Sequence, residues 1–171
     1  IEDALGVETV RIPHTVMVRL ATTLREHDFQ VCVKGRLEGK AFTCMEICGP
    51  QDRGIYGCAI DIGTTTVTMV MTDLTSGKIL AKGSSGNGQI RYGADVINRI
   101  IEQGKPGGKK KLQDAIIKET LVPIMVGLCK SASLNPRSIL SLCVGANTTM
   151  NHLFVGVDAP VSYTHLRAHE T

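Results

Sequence analysis

The sequence predicts an α/β chain. A small α/β unit over residues 1–52 is followed, over 53–160, by a mixed sheet of three antiparallel meandering strands, a helical crossover and one further strand. Three observations carry this expectation. Short runs alternate apolar and polar residues between turn-forming clusters, as half-buried strands do. Two stretches between residues 94 and 131 repeat apolar residues at helical spacing. The turn-rich Gly49-Pro50-Gln51-Asp52-Arg53-Gly54 reads as a linker between the units.

In the first unit, Thr9–Ile12 is a short strand, and Val16, Leu20 and Leu24 share one helical face. Phe29, Val31 and Val33 alternate along a second strand, Phe29–Lys34, which turns at Gly39 and returns as Ala41–Ile47. The second unit opens with the apolar strand Ile55–Ile62, then Val67–Asp73, a turn at Thr75-Ser76-Gly77, and Lys78–Lys82. A helix over Ala94–Gln103 carries Val96, Ile97, Ile100 and Ile101 on one stripe, with Gly104 at its end. Lys109–Lys111 reads as a solvated loop after Gly107 and Gly108. The next helix, Leu112–Ser131, contains Pro123, which predicts a kink or break, and the last strand is Ile139–Val144.

The chain has 171 residues, 43% hydrophobic and 20% charged, enough for a domain-sized core and against disorder. Lys and Arg exceed Asp and Glu by only 19 to 16, and aromatics are few, which weighs against a nucleic-acid partner. No apolar run approaches the roughly 18 to 20 residues of a membrane span, and the N-terminus lacks signal-peptide features; a cytoplasmic chain with no membrane partner is expected. Six cysteines, at 32, 44, 48, 58, 129 and 143, follow no cluster spacing, and Cys44 and Cys48 read as small core residues in a reducing compartment. Opening on Ile1, the chain reads as lacking an N-terminal portion. Residues 161–171, VSYTHLRAHET, resemble the in-frame translation of a transposase-type sequencing adapter. They are set aside as not native, His165, Arg167 and His169 included.

Chemistry concentrates where the strand Cys58-Ala59-Ile60-Asp61-Ile62 meets Gly63-Thr64-Thr65-Thr66. A carboxylate within an apolar strand is costly unless an ion or donors meet it. A Gly-Thr-Thr-Thr turn can converge backbone N–H groups on an anion, with hydroxyls beside them. Phosphate suits that nest, and Mg²⁺ between Asp61 and the phosphate, reached through water, would neutralise both. The structural alternative is an Asp61 that caps its own turn, with threonines present for strand propensity. The strand ending at Val144 delivers Gly145, Asn147, Thr148 and Thr149 to its carboxyl end, where ligands of open α/β sheets gather; Asn147-Thr148 as a plain helix cap is the alternative. Tyr92, Asp95 and Arg99 are the polar positions of the YGADVINRI segment that could face a partner or cleft; the structural alternative, which is favoured, makes Asp95 a residue of the helix's first turn and Arg99 a solvated side chain. His152 reads as a satisfied helix residue.

DIGTTT followed by strand, turn and strand resembles the first phosphate motif of the actin, heat-shock-chaperone and sugar-kinase superfamily, which implies a ribonuclease-H-like ATPase lobe. More narrowly, AIDIGTTTV, DLTSGKILA, YGADVINRI and GANTTMNHLFVG, in this order, resemble the reductive activators of corrinoid-dependent enzymes. The resemblance covers about residues 1 to 160. It implies ATP and Mg²⁺ as ligands, with Asp61, Gly63, Thr64, Thr65, Thr66, Gly145, Asn147, Thr148 and Thr149 at the nucleotide and Asp61 nearest the metal. It implies a corrinoid protein as partner, taken from Co(II) to Co(I), and an electron donor acting through a [2Fe–2S] domain that lies N-terminal to this chain. Residues 1–52 would be linker and middle domain, and 53–160 the first part of the ATPase domain. Two departures bear on turns: Asn87-Gly88-Gln89 where the family has Asn-Pro-Gln, and Ala146 where it has Gly. The alternatives are a small-molecule kinase of the same superfamily and a non-catalytic nucleotide-binding module. Because such active sites lie between two lobes, this chain alone is expected to be inactive and to expose apolar surface that favours self-association, a homodimer included.

Overall fold

The computed structural model describes residues 1–159. Val161–Thr171, set aside above, lies outside them.

The first unit comprises α1 (Glu2–Leu5), β1 (Thr9–Arg11), α2 (His14–Glu26), β2 (Cys32–Glu38) and β3 (Ala41–Cys48). Its sheet has the order β1-β3-β2, with β1 parallel to β3 and β2 antiparallel to it. Val7, Val16, Phe42, Cys44 and Ile47 form a small core, against which Leu20 and Val33 pack. The hairpin turns at Gly39, whose φ of 57° suits glycine. Phe29 corrects the expected strand. Asp28 and Phe29 both have positive φ, and Phe29 N–H donates to Leu24 O at 2.7 Å, closing α2 and turning the ring out to 73% exposure. The strand therefore starts at Cys32. Its most buried side chain is Lys34, whose ammonium donates to Asp52 Oδ1 at 2.7 Å.

The second unit contains β4 (Tyr56–Ile62), β5 (Thr66–Asp73), β6 (Ile79–Gly86), α3 (Val96–Gln103), α4 (Gly108–Ile116), α5 (Val122–Ser131), β7 (Ile139–Ala146) and α6 (Thr148–Val155). Strand order is β6-β5-β4-β7: the first three form the expected antiparallel meander, and β7 returns parallel to β4. The sheet is mixed, as expected. The β5–β6 turn is held by Asp73, whose Oδ1 accepts from Thr75 N–H at 2.8 Å. Ile60, Ile62, Val67, Met69 and Met71 point from one sheet face into a core completed by Leu112, Ile116, Ile124, Leu128, Met150 and Leu153 of the helices.

Three helical expectations change. The helix expected from Ala94 starts at Val96, after a 3-10 turn over Gly88–Tyr92, and Ile97 and Ile101 face solvent while Arg99, Ile100 and Gln103 are buried. The lysine run is not a loop but the first turn of α4. Gly107 precedes it with φ 73°, and Lys109, Lys110 and Lys111 pair with Asp158, Asp114 and Glu102. Those acids offset the unfavourable placing of cations at a helix N-terminus. The expected break near Pro123 occurs as a π turn, Ile117–Leu121, which leaves the proline in the first turn of α5, where its missing N–H is harmless.

Cys58, in the core, has its thiol pushed up to about 11 by burial, with Cys129 adding to the shift. A raised pKa stabilises the fold fully below the ordinary value of 9.0, and that contribution is lost as pH rises toward 11. The thermal midpoint is therefore expected to fall between these two pH values, and less steeply in Cys58→Ala. Thermal unfolding of both proteins at pH 8 and pH ~10.5 checks this.

Candidate functional site

Period-two alternation in β4 sends Cys58, Ile60 and Ile62 to the core and Ala59 and Asp61 to the uncovered sheet face. Asp61 is thus exposed, which removes the desolvation cost expected of it. Among the described residues its carboxylate takes part in no hydrogen bond or ion pair, so it does not cap its own turn and stands free beside the hairpin.

The hairpin turn closes with Gly63 N–H donating to Thr66 O at 3.0 Å. A Cβ at Gly63 would lie 2.6 Å from that same carbonyl oxygen, so the turn needs glycine for space. The next three carbonyls are all engaged: Gly63 O by Asn87 Nδ2 at 2.8 Å, Thr64 O by Arg99 Nη2 at 2.6 Å, and Thr65 O by Asn87 N–H at 2.8 Å. In a trans peptide the N–H points opposite to the carbonyl. Holding the carbonyls of Gly63 and Thr64 therefore turns the N–H groups of Thr64 and Thr65 away from these partners. Among the described residues neither N–H donates a hydrogen bond. Two such donors flanked by threonine hydroxyls have the chemistry to take an anion.

The second chain segment arrives as expected. Asp61 pairs in register with Gly145, and Ile62 with Ala146, so the carboxyl ends of two parallel strands meet beside the turn. Asn147 N-caps α6, accepting from Met150 N–H at 2.9 Å, and its Nδ2 lies 3.5 Å from Thr64 Oγ1. The cap reading is thus realised, and the capping residue also touches the hairpin. Thr148 is exposed at the helix start, whereas Thr149 is buried. Gly145 is open, with nothing nearer to an added Cβ than Ile60 O at 3.8 Å. Asn147→Ala is expected to cost about 1 kcal/mol of stability through the lost cap, measurable by urea unfolding.

Both departures from the family pattern fit locally. Gly88 N–H donates to Thr120 Oγ1 at 3.0 Å, and that hydroxyl donates to Ala115 O at 2.8 Å, linking the hairpin's support to the π turn. A proline at 88 would lack the donor. After Ala146, Asn147 keeps an extended backbone, φ −65° and ψ 162°.

Arg99 overturns the reading as a solvated side chain: it is fully buried. Its Nε donates to Gly93 O at 2.8 Å, Nη2 to Thr64 O at 2.6 Å, and Nη1 lies 3.5 Å from Gln89 Oε1 and 3.4 Å from Met150 Sδ. Gln89, also fully buried, donates to Leu112 O at 2.9 Å. Asn87, Gln89 and Arg99 thus form a polar frame beneath the turn, which the apolar pattern did not reveal. Asp95 caps α3 as expected of a helix-start residue, accepting from Asn98 N–H at 2.8 Å. Tyr92 packs against the core. His152 is satisfied by Thr148 O at 2.7 Å.

A mixed sheet in the order β6-β5-β4-β7, with a glycine hairpin at the carboxyl ends of its parallel strands and a carboxylate there that is unpaired among the described residues, defines an α/β lobe with an open polar edge. Residues 56–164, from β4 onward, match the RACo middle region family, and the chain belongs to that family. The reductive-activator resemblance is borne out. Over 106 residues, 61% of this chain, the sequence is 42% identical to the corrinoid activation enzyme RamQ of Eubacterium limosum, of which it covers 18%. The solved structure of a reductive activator for corrinoid, iron-sulfur protein matches with a TM-score of 0.73 and 33% identity, over 92% of this chain and 25% of that one. The chain therefore spans a quarter or less of these relatives' length. Among the described residues, no helix is long and apolar enough to cross a membrane.

Proposed function

We infer that this chain supplies the first phosphate-binding edge of an ATP-dependent activator that returns a corrinoid protein from Co(II) to Co(I). The observation that carries the nucleotide reading is the Gly63–Thr66 turn, with two carbonyls held inward and, among the described residues, two N–H groups left free and Asp61 unpaired beside them. The corrinoid reading rests on family membership and on the names of the two relatives.

Thr64 and Thr65 N–H would hold phosphate oxygens, with the Thr66 and Thr148 hydroxyls and the edge at Gly145 and Asn147 beside them. Thr149, on the buried side of α6, would fix that edge from behind. The donor set suits Mg²⁺, because a single exposed carboxylate stands beside the turn, and Mg²⁺ commonly uses one or two carboxylates, waters and substrate phosphate. Asp61 would hold it through water. When bound, the ion would neutralise phosphate charge. The chain's own part is to orient the phosphates and keep the carboxylate free for the hydrated ion. Electron delivery would use a [2Fe–2S] domain elsewhere in the full-length protein, with nucleotide-linked movement altering the cobalt environment.

Calorimetric titration of the full-length protein with ATP, with and without Mg²⁺, tests the nucleotide reading. Binding that strengthens with Mg²⁺ is expected. An absence of ATP binding contradicts it, and phosphate transfer to a metabolite with no effect on cobalt would replace the activator by a kinase.

A further inference from the structure

We propose that Arg99 is a positioning residue for phosphate: from beneath the turn it fixes the Thr64–Thr65 peptide and lends it positive charge, so that the Thr65 N–H becomes the stronger donor to a nucleotide phosphate. This rests on the phosphate-binding reading of the hairpin and deepens it.

The geometry is specific. One guanidinium bridges two backbone carbonyls, Gly93 O at 2.8 Å and Thr64 O at 2.6 Å, so it ties the end of the 3-10 turn before α3 to the tip of the hairpin turn. Among the described residues no carboxylate makes a hydrogen bond with it, although it is fully buried. The acid nearest in sequence, Asp95, spends its two oxygens on Asn98 N–H and Nδ2, both at 2.8 Å. Burial pulls the Arg99 pKa below its ordinary value, and the Asp95 charge only partly opposes this. Arginine keeps its charge even so.

A buried cation without an ion-pair partner is costly, and its cost is reduced when an anion arrives nearby. Hydrogen bonds in series polarise one another, so a cation on Thr64 O strengthens the donor on the far side of the same peptide. That donor is the Thr65 N–H, which is free among the described residues. Lysine could keep the charge but could not span both carbonyls with a planar fork. Methionine would keep bulk and lose both.

The test compares ATP and AMP binding to the full-length protein in wild type, Arg99→Met and Arg99→Lys, with thermal unfolding as the control for folding. Arg99→Met is expected to weaken ATP binding about 10- to 100-fold, in line with loss of a charge-assisted contact. AMP, which carries fewer phosphates, is expected to lose less than about 3-fold. Arg99→Lys is expected to fall between wild type and Met for ATP. A purely structural role predicts equal losses for ATP and AMP, in step with the melting temperature, and that result overturns the inference. If Arg99→Met does not fold, Arg99→Lys decides alone: selective weakening of ATP supports the proposal and equal weakening overturns it. Normal ATP binding by folded Arg99→Met overturns the inference but leaves the phosphate-binding hairpin standing. A wild type that binds no ATP removes the hairpin reading, and this inference with it.

Discussion

Asp61→Ala in the full-length protein is expected to lower nucleotide-dependent phosphate release roughly 10- to 100-fold, the range seen when an outer-sphere group of a metal site is removed. The thermal midpoint should not move, because Asp61 is exposed and, among the described residues, unpaired; such positions usually change stability by less than about 0.5 kcal/mol. This split makes the prediction sharp. A carboxylate that held the turn together would change both quantities, and one that was merely a surface charge would change neither. Phosphate release and thermal unfolding on the same preparation check it.

Gly63→Ala should show the opposite pattern, losing activity and stability together. The new methyl would sit 2.6 Å from Thr66 O, a backbone atom that can move only if the turn opens. Opening it breaks the Gly63 N–H to Thr66 O bond and displaces the carbonyl that Asn87 holds. Overpacking of this kind costs about 1 to 3 kcal/mol. Displacing donors by about 1 Å can cost ~100-fold in rate. Urea unfolding and phosphate release measure the two losses. Unchanged phosphate release in a protein destabilised by that amount would show that the turn's shape does not matter to the phosphate.

The parts of this fold that bury apolar side chains were legible from the residues. Ile60 and Ile62 alternate with Ala59 and Asp61, Val67, Met69 and Met71 alternate with Thr68 and Val70, and Pro123 marks the break between α4 and α5. The antiparallel meander and the mixed sheet follow from those patterns and from the meander's short turns, whereas the register that sets Asp61 opposite Gly145 across the helical crossover does not. What stayed hidden was polar burial. Apolar periodicity assigns Ile97 and Ile101 to the inside of α3, yet Arg99 and Gln103 are there, because backbone carbonyls of other segments wait to be satisfied. No local pattern announces Thr64 O as a partner for Arg99, 35 residues away in sequence. Phe29 misleads for a related reason: its place in an apolar alternation is overridden by the left-handed closure of α2. The lysine run looked solvated and is exposed, but the acids that pair with it lie on α3, α4 and beyond α6, which only the fold brings together.

The central claim is tested most directly by mixing the full-length protein with a Co(II) corrinoid protein and a reductant, and following the Co(I) absorbance together with phosphate release. Co(I) formation that requires ATP, accompanies phosphate release and is lost in Asp61→Ala is the predicted result. Co(I) formation at the same rate without nucleotide, or ATP turnover that leaves cobalt at Co(II), would contradict the account.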